Sequence, residues 1–407
     1  MKCGLLGRKL GHSYSPQIHA LLGNYSYQLF EKEPEEIGDF LKNGDFTGLN
    51  VTIPYKKEVI PFLDELSPAA ARLGAVNTIV RRDGKLIGHN TDYFGFRRLV
   101  QESGLQVAGK KVLVLGSGGA SSTAVAVLQE LGAKVTVISR SGENNYENLD
   151  RHADAAVIVN TTPVGMYPNT GKSALSLEGF PRLEGVLDAV YNPARTQILL
   201  DAERRGLAAV NGLWMLVAQA KESAEWFTGE EIPDSRIAKI HHALRLQMEN
   251  IILIGMPGCG KTAVGQQLAQ KLGKKFVDAD ESLEARVCRK ITDIIPNDGE
   301  AAFREMESET LAELGKQSGL VIATGGGCVT QPQNYPLLHQ NGTIFWLKRE
   351  LDKLPTDGRP LSQNGTLGQM YEARMPLYLR FADAAISNDG SIAETASAIC
   401  RKLEETT

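Results

Sequence analysis

The stretch Ile251-Ile-Leu-Ile-Gly255-Met-Pro-Gly-Cys-Gly-Lys261-Thr262 carries the strongest structural signal in this chain. Four apolar residues lead into a glycine-rich loop, and Lys-Thr and a helical pattern follow, which matches a strand, GxxxxGK plus Ser or Thr, and a helix. Backbone N–H groups of such a loop surround phosphate oxygens, and the helix N-terminus adds partial positive charge. We expect Lys261 to reach the β- and γ-phosphates of ATP or GTP, and the Thr262 hydroxyl to hold Mg²⁺. The predicted nucleotide contacts are Gly255, Gly258, Cys259, Gly260, Lys261 and Thr262.

A chance glycine turn is the alternative, but it leaves the strand before the loop and the Lys-Thr after it unexplained. A phosphate loop follows the first strand of its domain. The residues before position 250 are therefore expected to form a complete structure of their own. The length of 407 residues agrees with two or three domains.

Composition restricts the class of protein and its partners. The chain is 42% hydrophobic and 23% charged, as soluble globular proteins are. Its net charge of −4 argues against nucleic acid or an anionic membrane as the main partner. Its five cysteines show no CxxC pair, which predicts free thiols in a reducing compartment. With no signal-peptide pattern and no apolar run near 18 residues, we expect a cytoplasmic protein without a membrane span.

Strands and helices alternate over the first 110 residues, which predicts an α/β layer with a mostly parallel sheet. Residues 1–6, 25–31 and 48–53 have strand patterns, and residues 34–42 have a helical one. Ser15-Pro16 is typical of an N-cap followed by the first residue of a helix, here predicted over residues 16–23. Asp83-Gly84 predicts a hairpin turn between two short strands.

Three polar clusters lie at predicted loops of this layer: His12, Ser13 and Ser15; residues 50–56; and Asn77-Thr78 with residues 90–92. Loops at one sheet edge converge on a ligand. Their hydroxyls and amides suit a polyhydroxylated molecule, while Lys56 and Asp92 suit proton transfer. Each has a simpler interpretation, since the serines and Asp92 are also common helix caps and Lys56 could be a surface lysine.

Together these clusters resemble shikimate dehydrogenase, through HSYSPQIH (12–19), NVTIPYK (50–56), GAVNT (74–78) and HNTDYFG (89–95). The resemblance implies a catalytic pair, Lys56 and Asp92, the latter also contacting substrate. It implies substrate contacts from Ser13, Ser15, Thr52, Asn77 and Asn90. Two departures, Lys9 where the family often has Pro and Ala20 where it often has Asn, fall on positions without a chemical role.

A dinucleotide-binding pattern follows. Residues 110–115 form a buried strand pattern, a glycine turn comes next, residues 121–131 have helical periodicity, and residues 134–138 form another strand. Glycines in such a turn let the backbone approach a pyrophosphate at a helix N-terminus. The predicted contacts are Gly116, Gly118, Gly119 and Ala120.

The end of the second strand indicates the cofactor. An NAD enzyme places an acidic residue there for the ribose 2′-hydroxyl. Here Ser139 and Arg140 follow, and a hydroxyl with a guanidinium suits the 2′-phosphate of NADP. The family commonly has a second basic residue where this chain has Asn144, and Glu143 lies beside it. We therefore expect NADP binding that depends on one arginine and a weaker preference over NAD.

The later segments of this half also resemble the family: residues 160–166, residues 188–196, and the helix pattern from Asn211. The resemblance implies that Tyr191 and Gln219 contact the substrate and that Met215 touches the nicotinamide. Without it, Met215 is equally well interpreted as a core methionine. The substrate lobe is predicted to comprise residues 1–103 and 211–247, the NADP lobe residues 104–210. Residues 221–247 have a helical pattern throughout.

Charged residues follow the phosphate loop at regular positions. Asp278 and Asp280 are two apart at a predicted strand end, so they are expected to face the same way, one toward Mg²⁺ and one toward a hydroxyl. Arg304 and Glu307 are at i,i+3 on a helix, a spacing that also suits an ordinary surface ion pair. Residues 320–323 predict a buried strand that runs toward Gly325-Gly326-Gly327.

This order resembles shikimate kinase over nearly all of residues 250–407. The resemblance implies that Asp280, Arg304, Gly325, Gly326, Gly327 and Arg374 bind shikimate, with the arginines on its carboxylate. It also implies catalytic roles for Asp278, which orders Mg²⁺ and assists deprotonation of the 3-hydroxyl, and for Arg359, a lid arginine within residues 353–366 that closes on the transferring phosphoryl group beside Lys261. Departures are Ser362 in the RPLS motif and Cys288 where a glycine is common.

The sequence thus predicts an α/β protein: a two-lobed dehydrogenase with a Rossmann-type NADP lobe (1–247), then a P-loop kinase domain with a parallel sheet (248–407). The predicted reactions are NADPH-dependent reduction of 3-dehydroshikimate and Mg²⁺- and ATP-dependent phosphorylation of shikimate. Two alternatives remain: a quinate/shikimate dehydrogenase with relaxed cofactor use, or one half serving as a non-catalytic binding module. Only small-molecule partners are predicted, with no nucleic acid and no membrane, and the oligomeric state is not indicated.

Overall fold

Three sheets form the framework of residues 1–11, 13–354 and 367–405, the part of the chain that this computed structural model describes. By their contacts the residues form two units. The first comprises Met1–Val164, Ser173–Tyr191 and Ile198–Ala243. The second comprises Gly165–Lys172, Asn192–Gln197 and Leu244–Thr407. The boundary between residues 247 and 248 stays a prediction.

The first sheet is mixed, with strand order β2-β1-β3-β5-β6-β4. The β5–β6 pair is the expected hairpin, and its turn residues Asp83 and Gly84 have φ of 49° and 78°, as a two-residue turn requires. The elements are β1 (Lys2–Gly7), α1 (Ser15–Leu22), β2 (Ser26–Glu31), α2 (Ile37–Asn43), β3 (Gly48–Val51), β4 (Glu65–Leu66), α3 (Pro68–Leu73), β5 (Thr78–Arg82), β6 (Lys85–His89) and α4 (Asp92–Glu102).

The predicted N-cap of α1 is wrong. The helix begins at Ser15 itself, and Tyr14 occupies the N-cap position without a side-chain hydrogen bond. The reason is local: the Ser15 N–H donates to Ser13 Oγ at 3.2 Å, and this turn starts the helix one residue earlier.

The second sheet is entirely parallel, in the order β11-β10-β9-β7-β8. Its central strands are apolar and buried, as expected where helices cover both faces. The elements are β7 (Lys111–Leu115), α5 (Gly119–Glu130), β8 (Lys134–Ile138), β9 (Val157–Asn160), β10 (Gly185–Asp188), α6 (Gln197–Arg204) and β11 (Ala208–Val210).

Two helices follow, α7 (Leu213–Thr228) and α8 (Ser235–Met248), where the pattern predicted one continuous helix from residue 221. Gly229 ends α7 in the left-handed conformation, with φ of 74°, and Pro233 precedes the next start. Helix α7 returns to the first lobe and packs against α4. The contact is close, because a Cβ on Gly95 would lie 2.6 Å from the carbonyl oxygen of Met215.

The third sheet is also parallel, in the order β13-β14-β12-β15-β16, with the strand before the phosphate loop at its centre. All five residues of that strand are buried. The elements are β12 (Asn250–Ile254), α9 (Lys261–Leu272), β13 (Lys275–Asp278), α10 (Ala279–Val287), α11 (Ile291–Gly315, kinked at Gly299), β14 (Leu320–Ala323), α12 (Asn334–His339), β15 (Gly342–Lys348), α13 (Leu367–Phe381), β16 (Ala384–Ser387) and α14 (Ile392–Glu405).

Candidate active sites

Lys56 and Asp92 are in direct contact in the first unit, with 2.6 Å between Nζ and Oδ2. The Asp92 side chain is 12% exposed and that of Lys56 is 30% exposed, so the pair is shielded but open to a ligand. Asp92 is the first residue of α4, and Thr91 occupies the cap position. The capping interpretation of Asp92 therefore does not hold, and its carboxylate is used in the ion pair instead.

Asn77 and Gln219 are also brought together, although they are far apart in sequence. The Asn77 amide donates to Gln219 Oε1 and to Thr91 Oγ1, each at 3.0 Å. Its Oδ1 accepts the Thr91 N–H at 2.8 Å, which defines the orientation of the side chain. Asn77 is buried, at 2% exposure, so its polar atoms are committed to a specific geometry.

The remaining predicted substrate contacts lie on the loops around this pair. Asn90 is buried: its amide donates to the Ala75 carbonyl at 2.9 Å and its Oδ1 accepts the Asp92 N–H at 3.0 Å. Thr52 follows β3, and its N–H donates to the Leu6 carbonyl at 2.9 Å. Ser13 and Ser15 flank Tyr14, whose ring meets that of Tyr191 edge-on, with centroids 6.2 Å apart. His12, in the same motif, lies outside the described residues.

The glycine turn after β7 fits a pyrophosphate. Gly116 has a φ of 105°, and a Cβ there would come within 3.0 Å of Thr162. Gly118 occupies the N-cap position of α5 without a side-chain cap, and a Cβ on Gly118 or Gly119 would meet nothing within 4 Å. The helix N-terminus, where Ala120 is the second residue, thus faces open space, as an anion-binding end requires.

Ser139 and Arg140 follow β8, as the sequence placed them. The Ser139 N–H donates to the Asn144 carbonyl at 3.1 Å, so the intervening residues form a turn. The Asn144 side chain, at the position where the sequence resemblance predicts a second basic residue, lies 3.0 Å from His152 Nε2. Met215, in the first turn of α7, is half-buried and packs against an apolar core to which α4, α5, β7 and β9 contribute. The core interpretation of Met215 is thus compatible with its position.

A cavity of about 460 Å³ opens at the carboxyl ends of the third sheet. The phosphate loop and the start of α9 form one side, and α11 and the triple glycine form the other. Its wall includes Gly258, Gly260, Lys261, Thr262, Asp278, Asp280, Arg304, Glu307, Gly325, Gly326, Gly327 and Arg374. Most of the residues predicted separately for nucleotide and for shikimate therefore share one cavity.

The phosphate loop has the backbone that its glycines imply, with φ of 143°, 83° and 96° at Gly255, Gly258 and Gly260. The Lys261 ammonium donates to the carbonyls of Gly255 and Met256, at 2.9 and 3.1 Å, across the loop. A residue that we had not predicted, Asn388, donates its amide to the carbonyl of Cys259 at 2.6 Å. It lies outside any motif, so the sequence carried no signal for it.

Thr262 and Asp278 lie side by side, since the threonine hydroxyl donates to Asp278 Oδ2 at 3.0 Å. The predicted reason for the Asp278–Asp280 arrangement is wrong: β13 ends at Asp278, which caps α10, and Asp280 lies in the first turn of that helix. Both carboxylates nevertheless line the cavity. Among the described residues there is no cluster of three or more His, Cys, Asp or Glu side chains suited to a metal. A hydroxyl and one carboxylate instead fit Mg²⁺, which takes its other ligands from water and phosphate.

Arg304 and Glu307 form a buried pair rather than a surface one. Their atoms Nη1 and Oε2 are 2.8 Å apart, and the side chains are 7% and 3% exposed. Glycine lets this pair approach the loop closely, because a Cβ on Gly325 would lie 2.6 Å from Glu307 Oε1 and one on Gly327 would displace the Arg304 guanidinium. Arg374 donates to the Gly326 carbonyl at 3.3 Å. Two cations thus face the cavity from opposite elements, which suits a bound carboxylate.

Burial raises the pKa of the Asp280 carboxyl from 3.8 to about 6, and the nearby charges of Asp278 and Glu307 act in the same direction. Such a group is a good acceptor for a hydroxyl once ionised, and it changes charge close to neutral pH. Arg359, the predicted lid residue, lies outside the described residues.

Comparison with known proteins agrees with both halves of the chain. A family model described as shikimate dehydrogenase substrate binding domain matches residues 5–79, and one described as shikimate kinase matches residues 257–404. A shikimate dehydrogenase (NADP(+)) of Clostridium perfringens is 37% identical over 264 residues, which cover 60% of this chain and 97% of the relative.

Two solved structures are similar to the same part. Shikimate dehydrogenase 1 of Peptoclostridium difficile has 38% identity and a TM-score of 0.55, covering 60% of this chain and 98% of that one. A quinate dehydrogenase of Corynebacterium glutamicum in complex with NAD has 28% identity and a TM-score of 0.55, covering 60% and 99%. Within the described residues, no helix has both the length and the apolar character needed to cross a membrane.

The predicted fold class and both resemblances are confirmed by these matches and by the three sheets. The chain belongs to the shikimate dehydrogenase family and carries a shikimate kinase domain at its C-terminal side, which makes it a bifunctional enzyme of the shikimate pathway.

Proposed function

We propose that residues 1–247 reduce 3-dehydroshikimate to shikimate with NADPH, and that residues 248–407 transfer the γ-phosphoryl group of MgATP to the 3-hydroxyl of shikimate. The observation that carries the proposal is the 2.6 Å contact between Lys56 and Asp92, which puts a proton donor and a carboxylate at the site matched to a dehydrogenase. The kinase assignment is supported by the cavity, where phosphate-loop residues and two arginines lie together.

In the reductase, NADPH supplies a hydride when bound. Lys56 holds the proton that the developing alkoxide needs, and it donates this proton from Nζ. Asp92 accepts a hydrogen bond from the same ammonium, which keeps Nζ directed into the site. Asn77 and Gln219, linked at 3.0 Å, orient the ring hydroxyls. Ser139 and Arg140 bind the 2′-phosphate, and the glycine turn accommodates the pyrophosphate.

In the kinase, MgATP supplies the phosphoryl group when bound. Phosphoryl transfer depends mainly on positioning and charge stabilisation. Lys261 stabilises negative charge on the phosphates, while Thr262 and Asp278 hold Mg²⁺. Asp280 accepts the hydrogen bond of a shikimate hydroxyl, and Arg304 and Arg374 bind its carboxylate. The hydroxyl that the first reaction creates is thus the acceptor in the second.

Two single substitutions test both assignments in one chain. Lys56→Ala is expected to remove dehydrogenase activity and leave kinase activity, and Lys261→Ala to do the reverse. Lys57→Ala and Lys275→Ala, which change exposed lysines next to each site, are matched controls. If either site variant kept its own activity, the corresponding assignment would be wrong. The same experiment excludes or identifies a half that is only a binding module.

A second candidate for the first half is a quinate/shikimate dehydrogenase with relaxed cofactor use. It is favoured by the contact of Asn144 with His152, which leaves Arg140 as the one basic residue of that turn, and by the likeness to a quinate dehydrogenase. Steady-state rates for shikimate and quinate, each with NADP and with NAD, separate the two. We expect the highest kcat/KM for shikimate with NADP.

The partners remain small molecules in this proposal, with no nucleic acid or membrane. A coupled assay with 3-dehydroshikimate, NADPH and MgATP, with and without an added enzyme that consumes free shikimate, tests transfer between the two sites. Loss of all shikimate 3-phosphate in the presence of that trap would rule out channelling. The cytoplasmic location stays a prediction.

A further inference from the structure

Ser223 lies on α7, one helical turn after Gln219, and its side chain is fully buried. Its hydroxyl oxygen is within hydrogen-bond distance of four polar groups. These are Asn50 Nδ2 at 2.8 Å, Thr78 Oγ1 at 2.9 Å, the Gln219 carbonyl at 2.9 Å and Thr91 Oγ1 at 3.1 Å.

A serine hydroxyl has one proton to donate and two lone pairs to accept with, so at most three of these four contacts can be made at once. The four partners come from β3, β5, the N-cap of α4 and α7 itself. The hydroxyl therefore connects elements that are distant in sequence, and a buried network of this kind holds its members in a specific arrangement.

The partners are neighbours of the proposed substrate contacts. Thr78 follows Asn77 in the chain, and its hydroxyl also donates to Asn77 Oδ1 at 3.2 Å. Thr91 stands between Asn90 and Asp92, and it bonds to both ends of the Asn77 amide. Gln219 accepts from Asn77 through its side chain and from Ser223 through its carbonyl.

We propose that Ser223 is a positioning residue of the dehydrogenase site: it holds Asn77, Gln219 and the start of α4 in the geometry that binds the polyhydroxylated substrate. This inference rests on the proposed dehydrogenase function. Ser223 acts through its neighbours and touches no reacting atom, so its removal acts on substrate affinity before it acts on the cofactor.

The test uses the full chain with Ser223→Ala, which removes the hydroxyl, and Ser223→Cys, which keeps a weak donor of similar size. For Ser223→Ala we expect KM for shikimate to rise about tenfold, as for a buried hydrogen bond left unmade, with a smaller rise for Ser223→Cys. KM for NADP and the kinase kcat/KM are expected to stay within about twofold. The matched control is Thr228→Ala, which removes a hydroxyl from the same helix; within the part of the chain that the structure describes, this hydroxyl bonds to the Ala224 carbonyl and the Glu230 N–H alone.

Unchanged KM for shikimate in both Ser223 variants would overturn the inference, as would an equal rise in KM for shikimate and NADP, or an equal effect of Thr228→Ala. If Ser223→Ala does not fold, the cysteine variant decides by the same criteria. Failure of the proposed function is distinguished because the unsubstituted chain would then show no dehydrogenase activity at all.

Discussion

Glu307 Oε2 lies 2.8 Å from Arg304 Nη1 in the wall of the kinase cavity, and both side chains are more than nine-tenths buried. Burial raises the pKa of the Glu307 carboxyl, and the guanidinium of Arg304 opposes that shift. The arginine is thereby held in place with its charge partly compensated before a substrate carboxylate arrives. The position and charge of each of these two residues should therefore depend on the presence of the other.

Glu307→Ala is expected to lower the free energy of unfolding of the kinase domain by about 2 kcal/mol, because it removes the buried partner of Arg304 and leaves the half-exposed Glu300 as its carboxylate partner. It should also raise KM for shikimate in the kinase reaction. Urea titration followed by residual kinase activity measures the first effect. Glu309→Ala, which removes an exposed partner of Arg286 two residues away, should change either quantity little. Equal effects of the two substitutions would contradict a special role for the buried pair.

Lowering the pH through 6 is expected to weaken shikimate binding by the kinase. The pKa of Asp280 is raised to about 6, so its carboxylate is ionised and able to accept a hydroxyl above that pH and protonated below it. KM for shikimate measured between about pH 5 and pH 8 should therefore rise on the acid side. Asp280→Asn should have a high KM that does not vary in this window. The dehydrogenase reaction in the same buffers controls for general acid effects.

The raised pKa of Asp280 also makes stability depend on pH, and this dependence runs opposite to that of shikimate binding. A carboxyl whose pKa is higher in the folded than in the unfolded chain binds a proton on folding, so its contribution to stability is greatest below the unfolded pKa. That contribution is lost as the pH rises from about 4 to about 6. Asp280→Asn should remove this loss. The stability difference between the native chain and the variant should therefore grow with pH across that range.

Cys288→Gly is expected to stabilise the kinase domain. Cys288 ends α10 in the left-handed conformation, with a φ of 54°, which costs a residue with a Cβ about 1 kcal/mol. Glycine removes the penalty, while Cys288→Val should destabilise because its branched side chain tolerates this backbone least. The midpoints of urea-induced loss of kinase activity should follow the order Gly, Cys, Val. Any other order would contradict backbone strain as the factor that determines stability at position 288.

Asn144→Arg is expected to strengthen NADP binding by the dehydrogenase. Asn144 now contacts His152, and Arg140 is the one basic side chain of that turn. A second guanidinium on a 2′-phosphate should lower KM for NADP about tenfold, since charged hydrogen bonds are the strong ones. KM for NAD, which lacks that phosphate, is the internal control. A similar gain for both cofactors would place the new charge away from the 2′ position.

Much of the fold and of the site can be predicted because the residues that indicate them are consecutive in the sequence. Strand β12 contains four consecutive apolar residues, 251–254, and the glycine loop after it has fixed spacing. Gly229 and Pro233 also indicate the break between α7 and α8. Helical periodicity on both sides of them nevertheless predicts one continuous helix. The spacing of Asp278 and Asp280 predicts a common strand end, whereas the capping ability of Asp278 ends the strand and begins a helix.

What could not be predicted are single polar residues whose meaning comes from the fold. Asn388 supports the phosphate loop from the end of β16, and Ser223 joins four elements, yet neither stands in a motif. Cys259 is 129 residues from Asn388, and three of the four partners of Ser223 are more than a hundred residues from it. Periodicity and spacing report only on neighbours along the chain, so contacts of this kind need the three-dimensional arrangement.

The packing of α7 against α4 has a consequence for the order in which the protein is made. The predicted substrate lobe is complete only when α7 covers α4. A ribosome finishes α4 roughly a hundred residues before it reaches α7. At about 5 to 20 residues per second, the lobe waits roughly 5 to 20 s with an apolar helix face uncovered. The NADP lobe, whose strands are contiguous in sequence, can fold during that interval. Chaperones should accordingly bind nascent chains in which α4 has been synthesised and α7 has not.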